Sequence, residues 1–172
     1  MCYFLYIASP LTLSEVRSML PPGLTADLAP SQRATLHRLL PSARTVAQLL
    51  VGACSCDLVR ARLPDPIEDE RELRSRYGRA KVPRGEIIKA LERHRRGPLP
   101  RPAPAGGWAE ALAAFVIEHA RNAGPTLYQL EFTNPAGGAG AEKIAAPVAR
   151  SVAEVRGHPD RWLMEGAPTI VS

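Results

Sequence analysis

The sequence is poor in aromatic residues, at 5% of 172 residues, and has only three lysines, three methionines and three cysteines. Each scarcity excludes something. With so few aromatic rings, a base-stacking platform for single-stranded nucleic acid is not expected. An odd cysteine count rules out a complete disulfide framework. No run reaches the ~18 apolar residues that a membrane-crossing helix requires. The opening Met1-Cys2-Tyr3-Phe4 carries no basic segment and no cleavage site, so no secretion signal is read and a cytoplasmic location is expected, where thiols stay reduced. There is no Gly-x-Ser-x-Gly elbow, no His-Glu-x-x-His pair and no phosphate-binding loop. Gly137-Gly138-Ala139-Gly140 lacks the Lys-Ser/Thr that would follow in such a loop and reads as a plain turn. No enzyme class follows from these motifs.

Proline (17) and glycine (13) are plentiful, and the hydrophobic share of 45% is ordinary for a globular chain. At this length a single domain, 1-172, can bury a sizeable core. The formal net charge of +5 is unevenly spread. Arg60 to Arg101 holds 13 Lys+Arg against 7 Asp+Glu, a net of +6, which leaves −1 for the rest. The basic residues are nearly all arginine, whose planar fork suits phosphate and carboxylate. A compositional bias toward Arg, Ala, Pro and Gly accounts for the same observation.

Hydrophobic patterning predicts an α+β or mixed α/β fold, with a sheet of about five strands and helices packed on it. Cys2 to Ser9 is apolar on both faces and reads as an interior strand. Thr12-x-x-Glu15 is a capping box opening a helix through Leu20, and Pro21-Pro22-Gly23 stops it. Residues 24–43 fit either a helix or a strand. Thr45 to Ala53 is a second two-faced strand. Short helices are predicted over Glu70 to Tyr77 and Pro83 to His94. The Pro/Gly-rich stretch 97-106 is expected to cross a surface within the domain. Trp108 to Asn122 has Trp108, Leu112, Phe115, Val116 and His119 at helical spacing and ends at Gly124-Pro125. Thr126 to Thr133 is a strand, Asn134 to Gly140 a loop, and Lys143 to Ala149 an edge strand because of Pro147. A second capping box at Ser151-x-x-Glu154 and a strand at Thr169 to Val171 close the chain.

The chemistry concentrates in cysteine. Cys54-Ser55-Cys56 ends the apolar run Val46 to Ala53, and Cys2 opens the first strand. If the two strands are antiparallel neighbours, the start of one lies beside the end of the other, and the sulfur of Cys2 comes within roughly 8 Å of at least one of Cys54 and Cys56. If they are parallel, Cys2 sits ~25 Å away at the far end. Converging thiolates plus one imidazole would make a Cys3His zinc site, with His119 the first candidate and His37 the second. Redox sensing by reactive thiols and plain packing of small apolar side chains are the alternatives. Removal of Met1 would also leave Cys2 as an N-terminal nucleophile, although such enzymes usually begin Met-Cys-Gly and Tyr3 stands here instead. From a different class comes an interaction module that offers the Arg60 to Arg101 region to an acidic partner or nucleic acid. There, Glu86 and Glu92 interrupt any row of Arg84, Lys89 and Arg93.

The opening Met1-Cys2-Tyr3-Phe4-Leu5-Tyr6-Ile7-Ala8-Ser9, taken with Gly52-Ala53-Cys54-Ser55-Cys56, resembles a group of small uncharacterised bacterial proteins. These begin Met-Cys-Tyr-x-Leu-Tyr and carry Gly-Cys-x-Cys after a strand. The likeness covers two short blocks in the first third of the chain. It departs at Ala53, which separates Gly from Cys, and at Asp57-Leu58, where the group has Gly-Phe. The resemblance implies that Cys2, Cys54 and Cys56 act as one unit and implies nothing about their chemistry.

Overall fold

The computed structural model describes residues 2–59, 66–79, 82–96, 104, 107–133 and 145–172. The elements run β1 (Cys2–Ser9), α1 (Leu13–Ser18), β2 (Thr25–Leu28), α2 (Pro30–Leu39), β3 (Thr45–Leu50), α3 (Cys56–Val59) and α4 (Pro66–Arg79). After these come α5 (Arg84–Arg96), α6 (Trp108–Ala123), β4 (Thr126–Thr133), β5 (Val148–Arg150), α7 (Val152–Gly157) and β6 (Thr169–Val171). One six-stranded sheet has the order β2-β3-β1-β4-β6-β5. Every neighbouring pair is antiparallel except β5 with β6. The fold is α+β, with six strands where the patterning predicted about five. The additional strand, β2, comes from the ambiguous stretch 24–43. It has only four residues and buries one of them, Ala26, too little alternation to announce a strand.

β1 sits in the interior of the sheet because neither of its faces tolerates water. Leu5 and Ile7 join the larger core, made with Val16 of α1, Leu58 and Val59 of α3, Leu112, Phe115 and Val116 of α6, and Val155 of α7. Tyr6 and Ala8 point the other way into a smaller core closed by Leu36 and Leu40, in α2 and just after it. The predicted stripe of α6 is buried in full, His119 included. Both capping boxes form: the Thr12 hydroxyl accepts from the Glu15 N–H while the Glu15 carboxylate accepts from the Thr12 N–H, and Ser151 and Glu154 repeat the arrangement. The turn after α1 needs glycine twice over. Gly23 has φ 87°, and a Cβ there would stand 3.2 Å from Cη2 of Trp108.

A third apolar cluster joins Leu73 and Tyr77 of α4 to Leu91 of α5, with Phe132 of β4 packed against it. Phe132 is paired in register with Tyr3, and the two rings lie 4.8 Å apart. The helical pair α4–α5 is thereby tied to the end of the sheet where β1 begins. Pro147 directly precedes β5, which is an edge strand as expected. The predicted loop 134–140 and most of the stretch 97-106 lie outside the described residues.

Candidate metal centre

The site grows out of one register. β1 pairs antiparallel with β3, Leu5 opposite Leu49 and Ser9 opposite Thr45, so the start of β1 lies beside the end of β3. Beyond Leu50 the chain does not continue as the strand predicted through Ala53. Val51 and Cys54 form an isolated antiparallel bridge, with the Val51 N–H donating to the Cys54 carbonyl at 2.9 Å. Gly52, at φ 68°, makes the intervening turn, and a side chain there would be strained. Gly52 is therefore what brings the Cys-x-Cys back onto the sheet.

Ser55 then locks it. The Ser55 N–H donates to the Tyr3 carbonyl at 2.9 Å, and its hydroxyl accepts from the Leu5 N–H at 2.8 Å and donates to the Leu49 carbonyl. The residue is fully buried, so each of these bonds stands in for water that cannot enter. Cys54 and Cys56 flank this clamp, and Cys2 opens the neighbouring strand. Their three Sγ atoms all lie within 4.8 Å of one another. Sulfurs bound at ~2.3 Å to one tetrahedral ion sit about 3.8 Å apart, so the trio needs to close by at most about 1 Å. All three are free thiols and half-buried.

One sulfur is further fixed by the backbone: the Tyr3 N–H donates to Cys56 Sγ at 3.4 Å. Burial first, with the neighbouring Cys54 and Cys2 thiols adding to it and the Tyr3 N–H opposing it, pushes the Cys56 thiol up to about 12. Among the described residues no cation acts on it. Without an ion Cys56 is a neutral thiol near pH 7, unlike the depressed thiols of nucleophilic or redox-active sites. A bound thiophilic cation reverses that balance and deprotonates its ligands outright.

The structure does not bring His119 to the thiols. Its Nε2 pairs with Ser9 Oγ at 2.7 Å and its Nδ1 with Tyr128 OH at 2.7 Å, so both ring nitrogens are engaged. Ser9 is the last residue of β1 and Cys2 the first, which separates them by roughly 23 Å. As a zinc ligand His119 is thus excluded by position and by its partners. The apolar helix stripe that drew attention to it buries it as a core histidine. His37 lies on the exposed side of α2 and joins no group of metal-ligating side chains among the described residues.

The described part of the Arg-rich region forms α4 and α5, and some of its exposed basic groups are matched within their own helix. Arg74 pairs with Glu70 at 2.9 Å and Lys89 with Glu86 at 3.3 Å. Such exposed pairs contribute little to stability. They do break up a uniformly basic face.

Ser55 is the organising residue that sequence reasoning passed over. Its signal was its place: a small hydroxyl between two cysteines, where the chain leaves a sheet and backbone groups need partners. Replacing Ser55 by Ala leaves the Leu5 N–H and the Leu49 carbonyl without that partner. The expected loss is about 1–3 kcal/mol of stability. Urea unfolding of the two proteins checks it, and equal midpoints would mean that the clamp carries no weight. No family model, curated protein or solved structure matches the chain.

Proposed function

We propose that this chain is a thiol-centred ion-binding protein in which Cys2, Cys54 and Cys56 hold one thiophilic metal ion. The observation that carries the reading is the convergence of three sulfurs from two distant parts of the sequence to within 4.8 Å. Support comes from the scaffold, since Gly52, Ser55 and the Tyr3 N–H each fix the position of a thiol before any ion arrives. Zinc is the natural first ion to test. With three protein sulfurs it would complete its shell with water or an exogenous group, as open zinc sites do. Redox sensing is the weaker use of the same thiols, because burial disfavours the Cys56 thiolate. A reducing compartment such as the cytoplasm keeps the trio available. Among the described residues no helix is long and apolar enough to cross a membrane.

The test is metal analysis with thiol titration on protein purified under reducing conditions without chelator, then loaded with zinc. One equivalent per chain, three thiols protected until a chelator is added, and loss of stoichiometric binding in Cys54→Ser are expected. Three freely reactive thiols in the presence of excess zinc would sink the reading.

A further inference from the structure

We infer that the trio is matched to a trivalent thiophilic ion of the arsenite class, which takes three sulfurs and requires no fourth ligand. This rests on the reading of Cys2, Cys54 and Cys56 as an ion site. The first argument is donor number. Among the described residues the cluster contains three sulfurs and no imidazole or carboxylate, and His119 is engaged elsewhere. A closed zinc site needs four protein ligands, whereas a trivalent metalloid bonded to three sulfurs is complete.

The second argument is charge. Three thiolates carry −3, and the described surroundings offer neutral partners: the Tyr3 N–H on Cys56, the buried Ser55 and the Tyr3–Phe132 ring pair. The next residue in the chain, Asp57, is buried and acidic. A divalent ion leaves the centre at −1 and a monovalent one at −2. A trivalent ion leaves it neutral, and net charge is what a half-buried site with no counter-ion among the described residues tolerates least.

The third argument is the balance of the reaction. Arsenous acid is neutral and carries three hydroxyls. Each Sγ–H replaces one of them, so three As–S bonds form and three As–O bonds break. The three thiol protons leave with the hydroxyls as three waters. Arsenic stays trivalent, and no oxidant, reductant or external base takes part. The three sulfurs already lie within 4.8 Å of one another, and Ser55 holds the loop against β1.

The experiment titrates reduced, full-length protein with sodium arsenite. Free thiols are counted chromogenically and the arsenic environment is read by X-ray absorption. One arsenic per chain, simultaneous loss of all three thiols, three sulfur neighbours with no oxygen, and displacement of equimolar zinc are expected. Cys2→Ser should lose the third sulfur neighbour and the tight one-to-one binding. Cys54→Ser serves as the second variant, and circular dichroism shows that each is folded. Arsenite that consumes two thiols only, or zinc that holds the site against equimolar arsenite, overturns this inference and leaves the ion-binding reading intact. Failure of both zinc and arsenite to protect any thiol overturns both.

Discussion

Replacing Phe115 by alanine is expected to remove about 3–5 kcal/mol of folding stability, the range for emptying a core aromatic site. Phe115 is 2% exposed and belongs to the larger core with Leu112 and Val116 on the same helix. Its ring also stacks on His119 at a centroid distance of 5.2 Å. The cavity would therefore open beside a buried polar group whose hydrogen bonds hold α6 to β1 and β4. Neighbours so constrained collapse poorly into a void, which places the expectation toward the upper end. For a chain of this size the unfolding temperature should fall by roughly 10 °C. Urea unfolding with an unchanged slope is the measurement. A shift equivalent to less than ~1 kcal/mol would mean that α6 is peripheral to the fold.

The second large effect is a dependence on pH set by His119. Burial pulls this imidazole down to about 4 in the folded chain, against 6.5 when it is solvated. Between those values the unfolded chain binds a proton that the folded chain refuses, so stability rises with pH across the window. The contribution is complete above about pH 6.5 and is lost as the pH falls toward 4. Its size is about 3 kcal/mol, since each tenfold loss of proton affinity is worth ~1.4 kcal/mol. Glu15 and Glu154, both held below the usual carboxylate range by their capping boxes, act in the same direction only at lower pH. Denaturant unfolding at pH 7 and at pH 5 isolates the histidine. A His119→Gln variant, which keeps a donor and an acceptor but cannot take up the proton, should flatten the difference. An equal slope in both proteins would assign it to another group.

Much of this architecture was legible because its signals are local and strong. The strand Cys2–Ser9 announced itself by two apolar faces, Thr126–Thr133 by alternation, and α6 by a stripe from Trp108 to His119. Both capping boxes could be read from four residues each. β2 could not, because four residues with one buried position make no pattern. Nor could the end of β3, where Val51 and Ala53 look like strand but Gly52 turns the chain. The convergence of the cysteines depended first on whether β1 and β3 are neighbours and in which direction they run. Antiparallel pairing put Cys2 beside the end of β3, and the turn at Gly52 with the Ser55 bonds completed the trio. The fourth ligand failed for a physical reason: helical spacing shows that His119 is buried, but not at which end of a strand it lands. Ser9 and Tyr128, which claim its two nitrogens, are separated from it by 110 and 9 residues.

Cys2 and Cys54 are 52 positions apart, and only the pairing of β1 with β3 brings them together. The centre is therefore a non-local contact, absent from every partly folded chain in which those strands have not met. An ion held there ties the two segments into one closed loop. If the proposed ion binds there, ligation and folding become a single equilibrium, in which free ion concentration sets how often the polypeptide opens.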